Sequence, residues 1–255
     1  VAAHVHRRLP VRVRWISVAA AAAVLAALVG QTRRVAAVYR SQDTLWRQNV
    51  TRNPACWVGR GNLGVALAHA GHLDEALHQL RESVRLNPSF VKGLNNTGFV
   101  LAQQGHHADA LKFYERALRV AADNAEVHKN MADSLAALGR TDAARDHYLR
   151  AVELDPDYAE AYNNLGSFLA RQGDLPGAVQ ALEHALALAP DYAEAHVNLG
   201  SAFLESGRGP DAVEQYKRAV ALRPDLAIAY VALGDALQRL GRRAEARAAY
   251  RQALQ

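Results

Sequence analysis

The sequence predicts an all-α fold, an α-solenoid of stacked helix-turn-helix units, on three observations. Residue roles recur every 34 positions from Trp57 to Gln255. A glycine recurs in step with them, at Gly71, Gly105, Gly139, Gly173, Gly207 and Gly241. On either side of each glycine the apolar residues keep helical spacing, as with Tyr162, Leu165 and Leu169 before Gly173 and Ala178, Leu182 and Ala185 after it. A fixed period of this length means stacked supersecondary units rather than one globular core.

Residues 1–14 form a basic flank. No charge falls between Arg14 and Arg33, and Val18 to Val29 holds only Ala, Val and Leu. A helix over residues 15–32 would reach about 27 Å, enough to cross a hydrocarbon core. Trp15 suits the interface. A transmembrane helix is therefore expected, with a secretory signal peptide or a buried helix as alternatives. Arginines at both ends leave its orientation open. Residues 33–56 read as a connecting segment and an eroded half-repeat. There Ser41 can cap a helix, Trp46 takes the role of Leu182, and Asn53-Pro54 ends the helix.

Six units follow, at 57–90, 91–124, 125–158, 159–192, 193–226 and 227–255. A small residue brings the two helices of each together: Gly64, Gly98, Ala132, Gly166, Gly200 and Gly234. Pro88, Pro156, Pro190 and Pro224 close their units, while the second has Ala122. The sixth stops short of its proline, which predicts an uncovered outer face including Leu237 and Tyr250 and a chain that continues. The whole pattern resembles the tetratricopeptide repeat (TPR). That resemblance implies a right-handed superhelix whose first helices line a concave groove.

The net charge of +5 is unevenly spread. Residues 1–56 hold nine arginines and one acid, whereas the rest hold 21 basic and 24 acidic side chains. The repeats carry no basic stripe, which argues against nucleic acid as a partner. One cysteine, Cys56, allows no internal disulfide.

The candidate peptide-binding residues are a column of asparagines in register: Asn62, Asn96, Asn130, Asn164 and Asn198, ending at Ala232. Asparagine is a mediocre helix former, so propensity does not explain five at one position. A primary amide offers donors and an acceptor to the backbone of an extended peptide. The alternative role is a bridge between neighbouring units. The column resembles the asparagine ladder of the O-GlcNAc transferases, which implies groove binding of protein segments.

Other motifs point to ordinary structure. Gly59-Arg60-Gly61-Asn62-Leu63-Gly64 matches G-x-G-x-x-G but lacks the preceding strand a dinucleotide site needs. Asp155-Pro156-Asp157 is turn chemistry, replaced by Ala189-Pro190-Asp191 one period later. His69, His72, His106 and His107 lie near turns without metal-ligand spacing. No catalytic residue, metal or cofactor is expected in this chain.

The order of the junction adds a second resemblance. An apolar run, Arg33-Arg34, Ser41-Gln42-Asp43-Thr44-Leu45-Trp46, Asn53-Pro54 and then repeats looks like the transmembrane-and-TPR proteins related to protein O-mannosyltransferases. The resemblance implies a carboxyl-terminal part of a membrane protein, with catalytic acids upstream and repeats on the extracytoplasmic side. The expected function is a membrane-anchored scaffold for extended protein segments. The alternatives are part of a membrane protein O-glycosyltransferase, or a secreted or periplasmic adaptor.

Overall fold

The computed structural model describes residues 42–254. Thirteen α-helices and no strands occur among the described residues. The expected membrane helix at 15–32 and the capping role of Ser41 lie outside them. No described helix is long and apolar enough to cross a membrane. Two compact units follow one another, the first ending at Asn87 and the second beginning at Pro88.

In the first, α1 (Gln42–Arg52) packs on α2 (Trp57–His69), which forms a hairpin with α3 (Leu73–Leu86). Leu63 and Leu67 of α2 meet the stripe of Ala76, Leu80 and Val84 on α3, all buried. The Ser83 hydroxyl donates to the Trp57 carbonyl at 2.7 Å and pins the end of α3 to the start of α2.

The second compact unit holds five hairpins: α4 (Val91–Gln103) with α5 (His107–Val120), α6 (Ala125–Ala137) with α7 (Thr141–Leu154), and α8 (Ala159–Arg171) with α9 (Leu175–Leu188). Then come α10 (Ala193–Glu205) with α11 (Gly209–Leu222), and α12 (Ala227–Arg239) with α13 (Arg243–Gln252). Each second helix also packs on the first helix of the next hairpin. Successive first helices α4, α6, α8, α10 and α12 touch as well, so they lie side by side on one face.

The hairpins turn where the glycines were expected to act. At the end of α8, Gly173 has φ of 84°. Its N–H donates to the Ala170 carbonyl at 2.9 Å, and the next N–H, of Asp174, reaches back to Leu169 at 3.0 Å. This pair of bonds satisfies the last carbonyls of the helix and needs a left-handed residue, which glycine supplies without strain. Asp174 then caps α9, its carboxylate accepting from Gly177 N–H at 3.0 Å.

One sequence expectation is overturned. Leu237, taken as part of an uncovered outer face, is only 2% exposed. It lies on the buried stripe of α12 with Leu233 and Ala236, so its own hairpin covers it.

Candidate functional site

On the first-helix face the amide column can be followed through four members of the second compact unit. Asn96 sits on α4, Asn130 on α6, Asn164 on α8 and Asn198 on α10. Asn130 is buried, the others half-buried. Asn62 lies on α2 of the first compact unit, also half-buried.

Three of these amides, Asn130, Asn164 and Asn198, already donate to the preceding hairpin. Asn130 Nδ2 donates to Asn95 Oδ1 at 3.0 Å, and Asn198 Nδ2 to Asn163 Oδ1 at 2.8 Å. Asn164 Nδ2 reaches both oxygens of Asp133, at 3.2 and 3.3 Å. A second set of bonds runs the other way along the stack. Asn95 Nδ2 donates to Glu126 at 2.9 Å, and Lys129 Nζ to Glu160 at 2.6 Å. Neighbouring hairpins are thus stitched through side chains five or six residues into one first helix and two into the next. The bridging role is real for Asn130, Asn164 and Asn198, each of which spends an amide N–H on it, and Asn164 Oδ1 also accepts from Asn163 Nδ2 at 3.3 Å. An amide has two N–H donors and an oxygen with two lone pairs, so acceptor capacity is left on each for a ligand.

The face carries its densest polar cluster around Asp133. Tyr148 Oη donates to Asp133 Oδ1 at 2.5 Å, and Lys129 Nζ stands 3.9 Å from Oδ2. Burial pushes the Asp133 carboxyl above the usual range, against the pull of Tyr148, Lys129 and Asn164. Tyr148 is raised too, first by its own burial and then by the charge of Asp133, so the hydroxyl stays a donor. A cavity of about 210 Å³ opens here, lined by Asp133, Tyr148, Asn164, Ser167, Arg171 and Asn198. It presents carboxylate, amide and guanidinium groups together, a binding chemistry without a nucleophile or an adjacent base.

Asn95, Lys129, Asp133, Asn163, Glu160 and Arg171 were not picked out by sequence reasoning. Glu160 recurs as Glu126 and Glu194, whereas the positions of the other five change from one unit to the next. The signal available was adjacency: all but Arg171 lie about one helical turn or less from an asparagine of the column, and Arg171 lies two turns after Asn164.

A larger cavity, about 590 Å³, lies between α9, α10 and α11 and is lined mainly by Leu186, Pro190, Leu199, Phe203 and Leu222. Its counterpart one period earlier, about 330 Å³, involves Leu149, Leu165, Leu169 and His184. A furrow that recurs with the period is a product of stacking, so the polar cluster is the better candidate. On the wall of the larger cavity His196 binds Gln215 at 2.7 Å and the Pro190 carbonyl at 3.1 Å. His128 does the same with His147 at 2.8 Å and the Ala122 carbonyl at 3.0 Å. The histidine pair thus occupies a structural position of the repeat.

Family profiles described as "Tetratricopeptide repeat" match residues 157–225, 192–255 and 62–126, and one described as "TPR repeat" matches 132–173. No match was found among the curated proteins. Solved structures share the fold at low identity. One, from the APC/C hetero-tetramer Cut9-Hcn1, aligns with 82% of this chain at a TM-score of 0.75 and 18% identity. This chain spans only 42% of that one. Pseudomonas aeruginosa PilF aligns over 78% of this chain and 90% of its own, with a TM-score of 0.67 and 19% identity. YrrB, described as a TPR protein with an unusual peptide-binding site, aligns over 72% and 95%, with a TM-score of 0.52 and 23% identity.

Proposed function

We propose, from the premise that this chain belongs to the tetratricopeptide repeat family, that it is a non-catalytic scaffold holding extended protein segments on its first-helix face. The observation that carries this reading is the register of Asn96, Asn130, Asn164 and Asn198. Asn130, Asn164 and Asn198 each spend an amide N–H on the hairpin before them, and the carbonyl oxygens of the column, at regular intervals, are offered to the N–H groups of a bound backbone. Asn62 holds the same register position in the first compact unit. The peptide-binding description of YrrB supports the same use of the fold.

The test is an array of short random peptides probed with the chain. Replacing Asn96, Asn164 and Asn198 together by alanine should weaken captured peptides by about tenfold, a loss of roughly 1.4 kcal/mol. Unchanged affinity, in a variant whose circular dichroism and urea midpoint show it folded, would remove the column from the site. Asn130 is left out because it is itself 5% exposed, so that its loss would act on the core. Asn198 also bonds a buried partner, Asn163, and the urea midpoint reads the cost of about 1–3 kcal/mol that its loss brings.

A second reading concerns anchoring, and the uncharged run over residues 15–32 favours it. On that reading the array is tethered to a membrane as the partner-binding part of a larger protein, and any sugar-transfer portion lies outside this chain. The junction's likeness to transmembrane-and-TPR proteins supports it. Expression of the full chain followed by alkaline carbonate extraction tests it: the chain should stay with the membranes. Recovery in the soluble fraction, or cleavage after the apolar run, would overturn it.

A further inference from the structure

We infer that the first-helix face of the second compact unit is graded along its length, and that its occupant is an extended segment with basic side chains followed along the groove by a large aliphatic one. This rests on the groove reading above and narrows it to a ligand class.

The gradient shows at two register positions, the fifth residue of one repeat and the second of the next. Asn95 and Glu126 hold them first, then Lys129 and Glu160, both pairs hydrogen-bonded between hairpins. The last pair in the series is Val197 and Ile228, followed by Val231, and the amide column itself ends in Ala232. Polar stitching gives way to aliphatic surface. Ile228 and Val231 are 64% and 42% exposed. They sit one turn apart on α12, away from its buried Leu233, Ala236 and Leu237. The corresponding stripe of α10 carries Val197 and Asn198, so the aliphatic patch continues the line of the column. Ile228 thus shares with Val197 of the unit before it the register where Glu160 meets Lys129, an aliphatic pair in place of an ionic one.

The polar end has a sign. On α6, α8 and α10 the same stripe carries Glu126, Asp133, Glu160, Glu194 and Glu205 against two cations, Lys129 and Arg171. The Lys129 side chain is 7% exposed and spent on Glu160. Arg171 lines the small cavity. Glu160 and Glu194 each meet one cation, Lys129 at 2.6 Å and Arg223 at 2.5 Å, yet stay 50% and 44% exposed. Asn130, Asn164 and Asn198 each spend an amide N–H internally, and acids outnumber cations on this face. Charge complementarity selects a donor-rich, basic partner.

Spacing gives the pattern. Packed helix axes lie roughly 10 Å apart, and an extended chain rises about 3.3 Å per residue, so one repeat spans about three ligand residues. Glu160, Glu194 and Ile228 fall on successive first helices. The matching segment is Lys-x-x-Lys-x-x-Leu, in one chain direction or the other.

The experiment uses fluorescein-labelled peptides carrying that pattern, and its reverse, in a Gly/Ser background, titrated against the full chain by fluorescence anisotropy. One direction should bind. Replacing the ligand leucine by serine, or making Ile228→Ser with Val231→Ser, should each weaken it about tenfold, and the two changes together should cost little more than either. Exchanging both lysines for glutamates should abolish binding. The double serine variant alters exposed side chains only, and its urea midpoint reports that it folds. Equal binding of the glutamate peptide, or indifference to the serine variant, would overturn the gradient while leaving the groove reading intact. Random-array capture of acidic or neutral peptides alone would do the same. No peptide captured at all would overturn both. If the serine variant instead dissolves a dimer seen by sedimentation, the patch belongs to a second copy and the inference fails.

Discussion

The two ends of the ion pair between Lys129 and Glu160 should differ in what their removal costs. The ammonium lies 2.6 Å from Glu160 Oε1 and 3.9 Å from Asp133 Oδ2, with 7% of the lysine side chain exposed. The carboxylates are half in water, at 50% for Glu160 and 40% for Asp133. Glu160→Ala leaves an enclosed cation facing Asp133 alone. Stranding a buried charge costs about 3–5 kcal/mol. Asp133 offsets part of that, so about 2–3 kcal/mol is expected. Lys129→Met keeps the aliphatic stem and lets both acids return to water, for a cost of about 1 kcal/mol or less. The double variant should match Lys129→Met, because no stranded charge remains. Urea midpoints at unchanged slope measure all three. Equal single costs, or a larger cost for the lysine, would refute the argument that exposure decides which partner is stranded.

Two further outcomes follow from the hairpin interiors. His147 is held below the ordinary histidine range, first by burial and then by the charge of His128. Below about pH 6.5 the unfolded chain takes a proton that the folded site resists, so stability should fall by up to about 1.4 kcal/mol per pH unit. His147→Gln, copying Gln215 beside His196, should flatten that acid limb in thermal melts against pH. Gly166→Ala would place a Cβ 2.6 Å from Leu182 Cγ and 3.1 Å from the Ala178 carbonyl. Overpacking of about 1–3 kcal/mol exceeds the helix-propensity gain of about 1 kcal/mol, and calorimetry should show a lower Tm.

Much of the fold was legible because stacking repeats its demands. Gly173, Ala178 and Leu182 meet the same geometry in every unit, so their columns announced hairpins before any coordinate did. Leu237 was misread for a related reason: a stripe residue in the final unit looks uncovered when the partner is sought in the next unit rather than in its own hairpin. At the candidate site the register of the asparagines was legible, but not the direction of their amides. That direction depends on the residue one position earlier in the preceding unit, which is Asn95, Lys129 or Asn163 and follows no period. Asp133 was invisible for the same reason, since the residue there changes to Ser167 and Ser201 in the units that follow.

This contrast separates two kinds of residue on the first-helix face. Groups that recur every 34 residues answer to stacking, and the asparagines do so through bonds to the hairpin before them. As ligands for a backbone they can act only generically, because every residue except proline presents the same N–H. Groups that break the period and bond no neighbouring hairpin are not required by the stack, unlike Asn95, Lys129 and Asp133. Replacing Glu by Ile228, or Asn by Ala232, changes the surface without changing the hairpin beneath it, where Leu233 stays buried as Leu199 does. Discrimination among segments therefore has to come from side chains that change along the face, such as Arg171, Ile228 and Val231. Exchanging any of them should alter which sequences are held more than how tightly segments are held in general.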